Sequence, residues 1–300
     1  MTVLDPYTGP GTYRKAQLHC HTTASDGRFR PRELLRMYKE SGYAFVCLTD
    51  HNRVTREAGL DDDTFLAVPG SEDTVSAATI FPLTLLGPHL GRLFVDAPTR
   101  RGTAQQRIDA TAAAGGLLSL CHPSWTGNLW TGRWPLAAAS GLRGVHLVEI
   151  WNPHSDSARD LELWTALLRQ RGPQAPLWGV AVDDCHHARQ FNRGWIMAKV
   201  SAVTAAALRD ALRRGAFYAT TGATAEFGAE EGTVWARGVS PAGARVRFLD
   251  ARGVLRAEVE SPEGRYPVRA DEEFIRIEIV GPAGARAWSQ PFWVCQGGRP

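Results

Sequence analysis

Short apolar runs alternate with amphipathic helical segments from the N-terminus to about residue 217. Ala44–Thr49 and Leu177–Val182 are continuous apolar runs bounded by Gly or polar turns, the pattern of strands buried on both faces. Between such runs, Pro31–Lys39, Thr103–Ala114 and residues 157–171 and 204–214 carry helical spacing. Pro31 suits a first turn, and Gly42 and Gly115-Gly116 suit stops. This alternation predicts an α/β fold with helices covering a parallel sheet or barrel.

In such barrels the site lies at the C-terminal ends of the strands. All but the last of the predicted strands end in metal-ligand residue types. The first ends in His19-Cys20-His21, and residues two apart on a strand face the same side, so both imidazoles can reach one point. Asp26 follows in a polar loop. Ala44–Thr49 ends in Asp50-His51-Asn52, Phe65–Val68 in Ser71-Glu72-Asp73, Leu117–Cys121 in His122-Pro123, Val145–Trp151 in Asn152-Pro153-His154, and Leu177–Val182 in Asp183-Asp184-Cys185-His186-His187. Trp195–Val200 closes the series. A lone His-x-His is a weak signal; its repetition in kind at strand after strand is a strong one. His89 and His187 are read as non-ligands.

Residues 75–102 break the alternation. Ile80, Phe81, Leu83, Leu85 and Leu86, then Leu93-Phe94-Val95, are apolar and read as an excursion in the form of a hairpin. From about residue 223 helical periodicity stops and Gly and Pro rise. Ala244–Asp250, Val254–Glu260, Phe274–Val280 and Pro291–Val294 are predicted strands, and Phe274–Ile279 alternates as if one face were wet. The division expected is a barrel over 1–222 and a small β-sandwich-like domain over 223–300.

The net charge is +3, from 34 basic and 31 acidic residues, and the arginines are scattered, which argues against a nucleic-acid surface. The five cysteines form no Cys-x-x-Cys pattern, so a reducing compartment is expected and a disulfide framework is not. Cys20, Cys47, Cys121 and Cys185 neighbour the candidate ligands and read as small core residues rather than thiolate ligands. With no signal peptide and no membrane-length apolar run visible, a cytoplasmic protein is expected.

Leu18-His19-Cys20-His21-Thr22, Ser25-Asp26-Gly27, Leu48-Thr49-Asp50-His51-Asn52, Pro69-Gly70-Ser71-Glu72, Leu120-Cys121-His122-Pro123 and Asp183-Asp184-Cys185-His186 together resemble the ordered motifs of the PHP (polymerase and histidinol phosphatase) metal-dependent hydrolases. Residues 212–222 and 287–292 look like the CehA/McbA-like branch, which carries a C-terminal β-region. The resemblance implies a distorted (β/α)7 barrel holding two or three divalent metals, of which Zn, Mn and Fe all suit mixed His and carboxylate ligation. It implies that His19, His21, Glu72 and Asp184 hold one metal. Glu72 bridges to a second, held also by His122, and Asp26, His51 and His186 serve a third. After strand five, where many members place a further His or Cys ligand, this chain offers Glu149, Asn152 and His154 instead, with Glu149 or His154 favoured.

Such a centre lowers the pKa of a bridging water and neutralises phosphoryl oxygens. A phosphoesterase acting on a small phosphorylated molecule is the leading expectation. Hydrolysis of a carbamate, carboxyl ester or amide by the same centre is the alternative, and a non-catalytic metal-stabilised binding protein is a third. His51 or His186 is either a ligand or the acid that protonates the leaving group. Arg193 either binds substrate phosphate bidentately or is a surface arginine. Asp50 either orients a ligand histidine or caps a turn. Trp125, Trp130 and Trp134 either line a pocket or pack their own loop. The oligomeric state is left open.

Overall fold

The computed structural model describes residues 1–75, 86–99 and 102–296. Ile80, Phe81, Leu83 and Leu85 lie outside the described residues. In chain order the strands of the first part are β1 (Thr2–Leu4), β2 (Thr12–Gln17), β3 (Tyr43–Leu48), β4 (Leu66–Thr74), β5 (His89–Leu93), β6 (Leu117–Leu120), β7 (Leu147–Trp151), β8 (Trp178–Ala181), β9 (Trp195–Val200) and β10 (Phe217–Thr220). The helices are α1 (Pro31–Glu40), α2 (Ala104–Ala113), α3 (Leu136–Gly141), α4 (Ser157–Arg171) and α5 (Ala205–Arg214).

One large sheet runs β10-β9-β2-β3-β4-β5-β6-β7-β8 through this part. The pairs β2–β3, β3–β4, β6–β7 and β7–β8 are parallel. Two strands depart from the parallel expectation. β5 is antiparallel to both β4 and β6, and β9 is antiparallel to β2. A parallel neighbour needs a crossover, usually a helix. The stretch from β8 to β9 contains only a short 3-10 turn at Ala188–Gln190, and the chain returns antiparallel. The excursion after β4 is accordingly a hairpin-like return, with Thr74 opposite His89.

Apolar stripes hold the helices to this sheet. Leu34, Leu35 and Tyr38 of α1, Trp164, Leu167 and Leu168 of α4, and Leu208, Ala211 and Leu212 of α5 are all buried. Each large apolar side chain so buried contributes about 1.5–3 kcal/mol. β3 is buried along its whole length, as its unbroken apolar run requires. At the C-terminal rim a single parallel bridge, Cys20 with Cys185, ties the extension of β2 to that of β8. His21 N–H donates to the Cys185 carbonyl and Asp184 N–H to that of His19, each at 3.0 Å.

The second part contains β11 (Thr224–Glu230), β12 (Thr233–Ser240), β13 (Arg245–Asp250), β14 (Leu255–Glu260), β15 (Glu263–Pro267), β16 (Phe274–Val280), β17 (Arg286–Trp288) and β18 (Phe292–Cys295). It is not merely appended. β17 pairs with β10, and the N-terminal β1 pairs with β18. The Gln290 side chain bonds both backbone groups of Gly179 in β8. The alternation in β16 does not mark a wet face: Arg276 and Glu278 are buried along with the isoleucines between them. Ile275, Ile277 and Ile279 enter the core of the second part, while the opposite side turns toward α4.

Candidate metal centre

The C-terminal rim gathers side chains from β2, β3, β4, β6, β7, β8 and their extensions around one cavity of about 610 Å³. His19 and His21 are buried, with their Nε2 atoms 3.0 Å apart. Glu72 Oε2 lies 3.4 Å from His19 Nε2 and 3.2 Å from His21 Nε2, and Asp184 Oδ1 lies 3.3 and 3.2 Å from the same two atoms. Donor atoms held about 2.1 Å from a tetrahedral ion stand roughly 3.4 Å from one another. These four side chains thus have the spacing of a ligand set, within a few tenths of an ångström.

Their hydrogen bonding agrees. Asp184 Oδ1 and His51 Nδ1 are buried and have no hydrogen-bond partner among the described residues. His51 Nδ1 nevertheless lies 3.1 Å from Glu72 Oε2. Atoms this close and not aligned with each other aim at a common point, and a buried polar atom left unpaired carries a substantial cost. The residues present therefore fit divalent transition ions.

Glu72 faces two ways. Its Oε2 meets His19, His21 and His51, while its Oε1 is 2.9 Å from His122 Nε2 and 2.8 Å from His89 Nδ1. One carboxylate so placed can serve two ions. A further group sits at the cavity mouth. Asp26 Oδ2 is 3.4 Å from His51 Nε2 and 3.3 Å from His186 Nε2, and His21, Asp26, His51 and His186 bring one ligand atom each within 4.8 Å of one another.

Local backbone shapes these positions. His122 and Asp184 take positive φ, 28° and 44°, which re-aims side chains immediately beyond β6 and β8. Gly27 closes the loop after His21, and a Cβ there would stand 2.3 Å from the His21 carbonyl oxygen. Asp50 is wholly buried. It accepts Thr22 N–H and the Ser25 hydroxyl on one oxygen and the Thr22 hydroxyl on the other. Its bonds are those of the capping role: it pins the loop between His21 and Asp26, and among the described residues it forms no direct hydrogen bond or ion pair with a histidine.

Glu149 is oriented differently from the ligand atoms. Its Oε1 accepts from His19 Nδ1 at 2.7 Å, and its Oε2 accepts His122 N–H and the Asn152 amide. Both oxygens are thus engaged, and the bond to Nδ1 leaves His19 Nε2 with its lone pair toward the cavity. His154 lies at the outer edge. It is exposed, shares a potential ligand group with Asp184 and His186, and its Nε2 meets the Gln190 amide. His186 Nδ1 donates to the Asp184 carbonyl at 2.9 Å, which turns Nε2 toward Asp26.

Electrostatics couple the cluster. Burial opposes charge on His19, but Asp184, Glu149 and Glu72 outweigh it and hold its pKa well above the ordinary value. Burial likewise opposes charge on His21, yet the adjacent Asp184 and Glu72 carboxylates raise its pKa to about 9. Burial would push Glu72 and Asp184 up, and the surrounding histidines instead hold both well below the usual carboxylate range. Cys121, beside His19 and Glu149, is pushed well above an ordinary thiol by burial, so it stays protonated and fits the core role.

The structure brings together His19, His21, Asp26, His51, Glu72, His122, Glu149, Asp184 and His186, with His154 at the edge. It does not bring in Arg193. That side chain is exposed and does not line the cavity, and its backbone N–H donates to Asp183. His187 lines the cavity but belongs to no ligand group. His89, set aside in the sequence, is buried against Glu72. It opens an antiparallel strand, so its start rather than its end lies at the ligand rim. The Asn128 amide, fixed by Gly87, donates to His89 Nε2, so Nδ1 carries the proton to Glu72. Trp125 packs against the rings of His89 and His122 and lines the cavity, Trp134 is buried with Nε1 on the His89 carbonyl, and Trp130 is exposed.

No family model matches the chain, and no curated protein does. Solved structures do. A two-domain protein from Bacteroides vulgatus, described as containing a predicted PHP-like metal-dependent phosphoesterase, aligns over 100% of this chain and 91% of its own, with 15% identity and a TM-score of 0.52. The mixed α/β fold of this chain thus resembles that of this two-domain protein. PsfC from Pseudomonas syringae aligns over 67% of this chain and 87% of its own at 16% identity and TM-score 0.45. An amidohydrolase from Chromobacterium violaceum aligns over 57% and 87% at 14% identity and TM-score 0.40.

Proposed function

We propose that the chain is a metal-dependent hydrolase of the PHP superfamily, of the branch with a C-terminal β-region, acting on a small phosphate ester. The observation that carries the reading is the convergence of His19, His21, Glu72 and Asp184 at ligand spacing with buried, unpaired donor atoms. The Cys20–Cys185 bridge supports reading the first 222 residues as a distorted barrel.

In this reading His19, His21, Glu72 and Asp184 hold one ion. Glu72 and His122 hold a second, and Asp26, His51 and His186 a third. Divalent metals there, Zn, Mn or Fe, supply an acidified water and positive charge for the phosphoryl oxygens. Glu149 fixes His19 in its ligating tautomer and secures the His122 backbone. His89 donates to Glu72 and steadies the carboxylate shared by two ions. His186, partly exposed at the mouth with Nδ1 tied to a carbonyl, presents Nε2 for delivering a proton to the leaving group where it does not ligate.

The test is hydrolysis of p-nitrophenyl phosphate and bis-p-nitrophenyl phosphate with added Mn²⁺. Turnover is expected in the native chain and loss of it in a His19→Ala/His21→Ala variant; equal rates in both would refute the reading. A second reading, hydrolysis of a carbamate, carboxyl ester or amide, draws on one observation. Among the described residues the cavity wall carries no Lys or Arg, while Trp125 offers an apolar face. Turnover of an aryl carbamate without turnover of either phosphate ester selects it.

A further inference from the structure

A second cavity, of about 550 Å³, opens between α4 and the second part, on the side of β16 that the sequence marks as wet. Its wall includes Leu161, Trp164, Ala166, Trp288 and Arg276. Arg276 is 7% exposed. A guanidinium has five N–H donors and is costly to bury unpaired. Here Nη2 donates to Thr165 Oγ1 at 2.7 Å, while Nε is buried with no hydrogen-bond partner. Among the described residues Arg276 makes no ion pair within 4.0 Å. The Trp164 ring lies 4.5 Å from its Cζ, and such stacking holds the planar group by its face and leaves its edge to ligands.

The neighbouring charges do not satisfy it. Glu278, on the same strand face, is already taken by Arg247, Arg286 and the Trp288 indole. Arg169 and Arg252 also line the cavity, against Glu162, so the wall carries more positive than negative groups even with Glu278 counted. A surplus of guanidinium beside indole and leucine surface is the chemistry of a site for an amphiphilic anion.

We propose that this cavity binds a small organic anion, its carboxylate or phosphate-type head on Arg276 and its apolar body against Leu161, Ala166 and Trp288. The site is separate from the histidine cluster and stands whether or not the hydrolase reading does. Burial works against the guanidinium charge and, though Glu278 and Asp250 oppose the shift, brings its pKa down to about 10, so the cation persists at neutral pH.

The test titrates the full chain with benzoate, with phenylphosphonate and with neutral benzyl alcohol, by calorimetry. Saturable binding of at least one anion is expected, and the stronger of the two names the head group. Arg276→Met weakens it by at least about tenfold, as does Ala166→Phe, which fills the cavity and leaves the guanidinium in place; a tenfold loss is about 1.4 kcal/mol. Benzyl alcohol binds at least about tenfold more weakly than the better anion. The His19→Ala/His21→Ala variant binds the anions as the native chain does. If Arg276→Met fails to fold by circular dichroism, Ala166→Phe decides. Binding of neither anion, binding indifferent to Ala166→Phe, or binding lost with the histidine cluster overturns the proposal.

Discussion

At the scale of single residues, tautomer and proton occupancy decide what the cluster can do. Glu149 is the clearest case. Its carboxylate holds His19 Nδ1, so Glu149→Gln should lower metal affinity about 10- to 100-fold, read by competition with a chromogenic chelator. An unchanged affinity would remove it from the supporting role proposed here. Protons compete with metal for the same atoms. Neighbouring carboxylates raise the His21 pKa to about 9 and hold that of His19 well above the ordinary value, so raising pH from neutrality strips competing protons, and apparent metal affinity should climb with pH. Chelator competition at stepped pH measures the trend; an affinity flat from neutrality upward would contradict it. His89 carries no usable signal in a purely parallel sheet, where a strand's first residue lies far from the ligand rim. The return of the chain through Gly87-Pro88 before an apolar run is the cue that it starts a strand at the ligand rim.

At the scale of elements, most strands and helices of the first part follow from apolar periodicity, while the short β1, β10 and α3 carry no such signal. The helices at 31–40, 104–113, 157–171 and 205–214 lie within a residue or so of where spacing and stop signals put them. Direction was less legible. Periodicity marks a strand's existence and says nothing of its partner, so the antiparallel β5 and β9 emerge only from the connections. The alternating charges of β16 misled for a related reason: period two assigns faces, and what covers a face depends on distant chain, here α4. The return to β9 rests on Asp183, which accepts the backbone N–H groups of Asn192, Arg193 and Gly194 and the Tyr38 hydroxyl. Asp183→Ala would strand four donors, two of them buried. It should cost about 3 kcal/mol or more of stability, seen as a lowered midpoint of urea unfolding. A midpoint unchanged from the native chain would show that the loop holds itself.

At the scale of the whole molecule, the two parts share strands rather than a linker. β10 pairs with β17, β1 pairs with β18, and Gln290 bonds Gly179 across 111 residues of sequence. A chain stopped at residue 222 leaves β1 without its partner β18 and β10 paired with β9 alone, and open edges of this kind drive association. Such a fragment should aggregate or unfold without cooperativity, by size-exclusion chromatography and thermal scanning; a monomeric fragment with a sharp transition would establish the first part as independent. The central claim is that one buried carboxylate, Glu72, serves two ions at once. Elemental analysis of native chain and Glu72→Ala, purified with the same metal supply, tests it most directly. The account predicts about two or more transition ions per native chain and the loss of more than one of them in the variant. A native chain without bound metal, or a variant that keeps its full complement, would contradict it.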